Sequence, residues 1–252
     1  MAGEAGVGVL AGKLALVTGG SRGIGRAIVE RLASDGAAVV FSFVRNQMAA
    51  EEVVAAVETA GGKALAVRAD LGRLGEVRRL FDQAEGHLGG LDILVNNASV
   101  VVTTSFAEAT EQDYDRVMAV NAKGTFFAIQ QAAGRLRDGG RIVNVSTVNT
   151  VLPAPGVAIY AASKAAVEQF TRVAARELAG RGITVNTVSP GFTDTEMFRG
   201  ANPPDAPQRA AAVTPLGRLG QPVDVADVVA FLVGPDARWL TGQNLRASGG
   251  LA

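Results

Sequence analysis

The chain has 252 residues, 48% of them hydrophobic, enough to bury the core of one large α/β domain. Lysine plus arginine and aspartate plus glutamate number 24 each, so no net field exists to hold a polyanion such as nucleic acid. Cysteine is absent and histidine occurs once, at His87, which excludes a disulfide framework, a thiolate nucleophile and any cysteine or multi-histidine metal site.

The opening stretch "MAGEAGVGVLAGK" has neither a basic n-region nor a long apolar segment. Nowhere does the chain approach the ~20 apolar residues of a membrane span. A cytoplasmic protein without membrane or nucleic-acid partners is therefore expected, with residues 1–11 mobile and 12–252 forming one domain. Short apolar runs then alternate with amphipathic ones. Strands are predicted at 13–19, 37–43, 63–70, 91–98, 140–147, 182–191 and, more weakly, 243–248; helices lie between them at 23–34, 48–60, 75–88, 110–134, 159–179 and 222–233. Strands apolar at consecutive positions are buried on both faces, and helix-length connections imply parallel pairing. The pattern is that of an α/β, doubly wound Rossmann fold with helices on both faces. Residues 192–217 hold four of the nine prolines (Pro203, Pro204, Pro207 and Pro215) and read as a lid after a strand end.

The first strand runs into "TGGSRGIG", Thr18 to Gly25. There Gly19 serves a tight turn, while Gly23 and Gly25 permit close approach to a ligand and close packing of the new helix. Free N–H groups at that helix start suit a diphosphate. A geometric need for glycine alone would give the same letters, but the position in a βαβ series favours the ligand. At the end of the second strand, where an acid would take the ribose hydroxyls of NAD, stand Phe43 and Val44, followed by Arg45. With Arg22 in the glycine loop, two guanidinium groups favour a 2′-phosphate, so NADP(H) is preferred over NAD(H).

Chemistry concentrates near the fifth strand. Ser146 ends it, and "YAASK" places Tyr160 and Lys164 four apart on one helix face. A phenol, with an ordinary pKa of ~10, becomes a useful acid or base when a nearby cation favours its phenolate. His87, at a helix end, is expected on the surface.

Taken together, "TGGSRGIG", Ala69–Asp70, "NNAS" at 96–99, "VNAKGTF" with Asn121, "NVS" ending at Ser146, "YAASK" and "SPGFTDT" from Ser189 resemble the short-chain dehydrogenase/reductase family over nearly the whole chain. The resemblance implies a seven-stranded parallel sheet of order 3-2-1-4-5-6-7 and a catalytic set of Asn121, Ser146, Tyr160 and Lys164. It implies cofactor contacts from Gly19, Ser21, Arg22, Gly23, Ile24, Gly25, Arg45, Asp70, Leu71, Asn97, Ala98, Tyr160, Lys164, Pro190, Gly191 and Thr193. Thr193 reads equally as a helix N-cap before "DTEMF". Where the family has Asn-Asn-Ala-Gly this chain carries Ser99, whose backbone must accept a Cβ. The remainder resembles 3-oxoacyl-carrier-protein reductases, but the segment between Ser146 and Tyr160 lacks their polar pattern. Val148, Val151, Leu152, Phe192, Met197 and Phe198, with Ser146 and Tyr160, suggest instead an apolar substrate pocket. Arg135 and Arg137 could meet an acidic carrier or serve as helix-dipole partners.

The expected activity is NADPH-dependent reduction of a ketone or 3-oxoacyl compound to a secondary alcohol. An NAD-linked alcohol or sugar dehydrogenase, a nucleotide-sugar epimerase and a non-catalytic NADP sensor remain alternatives. Family resemblance further suggests a homotetramer joined through the helices near 110–134 and 159–179.

Overall fold

The structure is a computed structural model and describes residues 8–252. Seven parallel strands, β1 (Leu14–Val17), β2 (Ala38–Phe43), β3 (Lys63–Arg68), β4 (Ile93–Asn96), β5 (Arg141–Val145), β6 (Thr184–Pro190) and β7 (Asn244–Ala247), form one sheet of order β3-β2-β1-β4-β5-β6-β7. The doubly wound prediction holds, and the weak seventh strand is real. In register, Leu16 lies beside Val40 and Leu94, which places apolar side chains in rows across the sheet.

Alternation along the strands divides these rows between two cores. Ala15, Val17, Val39, Phe41, Ile93, Val95, Val143 and Val145 pack under α1 (Gly23–Ser34), α2 (Gln47–Thr59) and α9 (Pro222–Val233). Leu16, Val40, Leu94, Ile142 and Val185 pack on the other face under α3 (Leu74–Leu88), α5 (Thr125–Arg135) and α6 (Ala158–Glu177). Both faces being covered is what makes each strand apolar at successive positions.

Three sequence expectations need adjustment. The single helix expected over 110–134 is α4 (Glu111–Val117), a π-helical turn at Met118–Gly124, and α5. A wider turn lets the buried Asn121 amide face inward, and at its end Gly124 sits where a Cβ would come 2.6 Å from the Leu71 carbonyl oxygen. The proline-rich segment holds two short helices, α7 (Glu196–Ala201) and α8 (Ala206–Val213), because Pro207 stands in the first turn of α8, where its missing N–H has no role. Of the segment expected to be mobile, residues 1–7 lie outside the described residues; Leu10 is buried in the core, and its N–H donates to the Asp35 carbonyl at 2.8 Å.

A buried polar ladder crosses the second core. Asn96 Nδ2 donates to Asn144 Oδ1, Asn144 Nδ2 to Thr171 Oγ1 on α6, and Thr187 Oγ1 to Thr171 Oγ1, each at 2.8 Å. These groups bond one another where water does not reach, with Asn96 Oδ1 the one ladder atom left buried without a partner.

Candidate active site

The carboxyl ends of β1, β4, β5 and β6 meet at one rim, and the site is built there. Gly19 adopts φ +69°, and a Cβ on it would lie 2.9 Å from Ala98 Cα. A Cβ on Gly25 would run into the Gly19 carbonyl oxygen and come 2.5 Å from Asn97 Nδ2. Glycine is thus required here by the protein's own packing: α1 is pressed against the glycine turn and the β4 end. Asn97 Nδ2 donates to the Thr18 and Gly19 carbonyls at 3.0 and 2.9 Å, and Thr18 Oγ1 accepts from the N–H groups of Asn97 and Ala98, both at 3.0 Å. Ser42 Oγ accepts from Gly19 N–H at 3.0 Å. Thr18 and Ser42, which sequence reasoning passed over, therefore hold the loop in shape.

Arg22 is the N-cap of α1 but provides no capping bond, and no acid occupies the first turn. The leading N–H groups of α1 thus lack a side-chain acceptor, the condition under which a helix start takes an anion. Ser21 and Ile24 flank this turn, with Ile24 packed on the first core. Arg22 and Arg45 are both exposed; Arg22 Nη1 pairs with Glu196 Oε2 of α7 at 3.0 Å. At the β3 end Asp70 Oδ1 accepts from Gly72 N–H at 2.9 Å, and Leu71 is buried, so only its main chain can face a ligand. At the β6 end Gly191 packs against Ser248, where a Cβ would lie 2.9 Å from Cα. Pro190 closes that strand. Thr193 is buried and donates to the Gly191 carbonyl; the N-cap of α7 is Thr195, which accepts from Phe198 N–H at 3.1 Å. These residues provide a glycine turn, an uncapped helix start and two exposed arginines, a set that fits a phosphorylated dinucleotide.

Tyr160 and Lys164 lie on α6 with Lys164 Nζ 5.9 Å from the phenol ring centroid. Lys164 is buried and donates to the Val145 carbonyl at 2.8 Å; burial lowers its pKa to about 8. Burial pushes the Tyr160 phenol up from its ordinary value, and the hydroxyls of Thr147 and Ser99 facing it pull it back. Neither hydroxyl closes to a well-formed hydrogen bond with the phenol, and Ser99 Oγ is left without a partner. Asn121 Oδ1 accepts from Val100 N–H at 2.8 Å, while its Nδ2 donates to the Val100 carbonyl at 2.8 Å and to Ser163 Oγ at 3.1 Å.

Ser146 does not join this group. Its buried hydroxyl donates to Glu168 Oε1 on α6 at 2.8 Å; the hydroxyl that faces the phenol is that of Thr147, which in this structure donates to Asn149 Oδ1 at 3.0 Å and caps the 3₁₀ turn by accepting from Asn149 N–H. Strand alternation explains the difference: Ile142, Asn144 and Ser146 share the face covered by α6, so the next residue turns the other way. The arginines read as contacts for a carrier are engaged within the chain. Arg135 pairs with Asp82 and Glu85 at 2.7 and 2.9 Å, and Arg137 Nη2 donates to the Gly89 carbonyl. His87 is exposed in the last turn of α3. Of the expected apolar lining, Phe192 and Phe198 meet with ring centroids 5.9 Å apart and planes tilted by 54°, and Met197 is half-buried. Val148 is buried in the 3₁₀ turn Val148–Thr150, whereas Val151 and Leu152 are open to solvent.

The depressed lysine carries a stability cost whose sign can be tested. Below pH 8 Lys164 is charged in both states, and the folded state bears its desolvation. As pH rises from about 8 towards 10.5, the folded protein loses this proton before the unfolded chain does, so the group's penalty fades. Lys164→Met is expected to raise stability at pH 7 by up to about 3 kcal/mol, less the lost bond to Val145, with the gain vanishing near pH 10.5. Urea denaturation at both pH values checks this, and a destabilised variant at pH 7 would contradict it.

A doubly wound sheet with a glycine-rich first turn and a tyrosine–lysine pair at its carboxyl rim defines a dinucleotide-dependent oxidoreductase. The comparisons give the family. The family model described as Enoyl-(Acyl carrier protein) reductase matches residues 19–252. An uncharacterized oxidoreductase of Methylorubrum extorquens is 46% identical over 244 residues, covering 96% of this chain and 98% of that protein. Among solved structures, a short chain dehydrogenase from Burkholderia cenocepacia in complex with NADP superposes with TM-score 0.92 at 43% identity, covering 96% and 98% of the two chains. The angucycline C-6 ketoreductase LanV with bound NADP gives TM-score 0.92 at 44% identity, covering 97% of each. The chain belongs to the short-chain dehydrogenase/reductase family. Among the described residues no helix is long and apolar enough to cross a membrane.

Proposed function

We propose that the protein is an NADPH-dependent carbonyl reductase that converts a ketone to a secondary alcohol, with Tyr160 as general acid. The observation that supports this most directly is the phenol itself, faced by the Thr147 hydroxyl and with Lys164 Nζ 5.9 Å from its ring. Reduction creates an alkoxide that must gain a proton; the phenol carries one at neutral pH, and because burial raises its pKa it needs a neighbouring cation to steady the phenolate as the proton leaves. NADPH, when bound, supplies the hydride. Thr147 polarises the carbonyl through its hydroxyl. Lys164, still largely cationic at pH 7, favours the phenolate once the proton has left. Asn121, its side-chain amide already committed to Val100 and Ser163, holds the β4 end and α6 in register and leaves its main chain to bind water on the proton path. In alcohol oxidation Tyr160 is the base.

Binding of the dinucleotide falls to the α1 start, to Gly19, Asn97 and Ala98 on the rim, and to Asp70, which retains acceptor capacity for the adenine amino group. Pro190, Gly191 and Thr193 face the carboxamide. Arg22 and Arg45 take the 2′-phosphate, for which Arg22 must leave Glu196. Replacing both by alanine is expected to weaken NADPH about tenfold to a hundredfold while leaving NADH within a few-fold, since bonds to a charged group contribute roughly 1.5–3 kcal/mol. Fluorescence titration of the two dinucleotides decides it, and equal losses refute the assignment.

Phe192, Met197, Phe198 and Leu152 suit a hydrophobic ketone under the lid. The outer faces of α5 and α6, where Phe126 and Val173 are 46% and 47% exposed, form the subunit contacts of a tetramer in this reading. Initial rates of NADPH and NADH oxidation over a panel of aliphatic, aromatic and 3-oxoacyl ketones test the proposal. NADPH-linked turnover supports it, and absence of turnover on every carbonyl class counts against it.

A further inference from the structure

Arg22 and Glu196 are 174 residues apart in sequence, one at the start of α1 beside the glycine turn and the other in the first turn of α7, on the lid beyond β6. The structure joins them, Arg22 Nη1 donating to Glu196 Oε2 at 3.0 Å. The start of the lid helix is seated there as well, since a Cβ on Gly23 would lie 3.4 Å from Cγ2 of Thr195, the N-cap of α7. Lid and glycine turn therefore meet at the end of α1 whose leading N–H groups have no side-chain acceptor.

The other charges of this part of α1 and of the lid are committed elsewhere: Arg26 to Glu30, Arg199 to Asp194, Arg209 to Asp205 and Arg218 to Asp224. Among the described residues, Arg22 and Glu196 have only each other as ion-pair partners. Carboxylate and phosphate ask the same of a guanidinium, a planar fork of N–H donors, and a fork turned to one of them is withdrawn from the other.

We infer that Glu196 is a cofactor-specificity residue: its carboxylate competes with the 2′-phosphate for the Arg22 guanidinium, so that NADPH binds by breaking this pair whereas NADH leaves it intact. The inference rests on Arg22 reading the 2′-phosphate. With side chains 62% and 72% exposed, the pair is screened by water and salt, so the competition is modest and is strongest at low ionic strength. Its effect is selective. Glu196 lowers the preference for NADPH without touching the contacts that both dinucleotides share.

Glu196→Gln keeps the shape of the side chain and removes its charge. In fluorescence titrations of the full chain at low ionic strength, the ratio of Kd for NADH to Kd for NADPH is expected to rise about twofold to fivefold, the range of one exposed ion pair. A general effect of the substitution on the lid weighs on both dinucleotides and cancels in the ratio. In an Arg22→Ala background the same substitution is expected to leave the ratio where it was, because the guanidinium it would release is gone. Neither measurement requires turnover. Where Arg22→Ala by itself weakens NADPH more than NADH, an unchanged ratio in Glu196→Gln overturns the inference. Equal weakening of both dinucleotides by Glu196→Gln also overturns it and makes the pair a strap over the cofactor. So does a gain of the same size with and without Arg22, since Glu196 would then act on the phosphate directly. Should Arg22→Ala weaken the two dinucleotides equally, the 2′-phosphate assignment fails and the inference with it, and the carbonyl chemistry of Tyr160 is untouched by that result.

Discussion

Tyr160→Phe is expected to lose about 10²- to 10⁴-fold in kcat while binding NADPH as the parent does. Only the phenolic oxygen is removed. The ring, over which Lys164 Nζ lies at 5.9 Å, is retained, so the packing of α6 against the β5 end is preserved. The loss should fall on kcat more than on KM, because the proton is needed as the alkoxide develops and not when the ketone binds. Stopped-flow oxidation of NADPH with saturating ketone measures this. A variant with parental kcat would end Tyr160's role as the acid.

The second large effect separates two adjacent hydroxyls. Thr147→Val, nearly isosteric, is expected to lower kcat/KM by about 10²-fold, the scale of losing one oxyanion donor. Ser146→Ala should leave kcat within a few-fold but cost on the order of 1–3 kcal/mol of stability, because it removes a buried donor from Glu168. The two variants thus differ in kind: Thr147→Val, which also gives up the bonds of its hydroxyl to Asn149 and so about 1 kcal/mol of stability, fails in turnover far beyond that loss, whereas Ser146→Ala turns over and unfolds earlier. Parallel steady-state rates and thermal melts report both quantities. If Ser146→Ala were the slower enzyme, Ser146 would regain the position against substrate.

The fold was legible because its signals are local and repeated. Apolar strands at roughly regular intervals, glycines at the first βα turn and helix-length connections all state the same architecture. Much of the site was equally legible: Tyr160 and Lys164 are four apart on a helix, and that spacing fixes a shared face. The misses have physical causes. Ser146 against Thr147 turns on which side of the β5 end faces α6, and the alternation of Ile142, Asn144 and Ser146 carries that information once the helix-covered face is known. The π-helical turn at Met118–Gly124 has no periodic signature, since one extra residue merely shifts the phase of an otherwise helical pattern. Thr195 rather than Thr193 caps α7 because both letters are good caps and the isolated bridge between Thr193 and Gly220 decides which is free. Ser99 was visible only as a departure from a family pattern, and the burial of its unpartnered hydroxyl is a property of three chain segments meeting.

The ladder of Asn96, Asn144, Thr171 and Thr187 has a bearing on how this sequence can diverge. Each member satisfies a neighbour, so a lone exchange such as Asn144→Leu strands the Asn96 amide and removes a donor from Thr171 at once. Replacing all four by apolar residues of matching shape could be nearly neutral, because no polar atom is then abandoned. Between those end points lie intermediates with one or more orphaned groups. Single exchanges at these positions are therefore expected to cost more than concerted ones, although the ladder already tolerates one orphaned atom, Asn96 Oδ1.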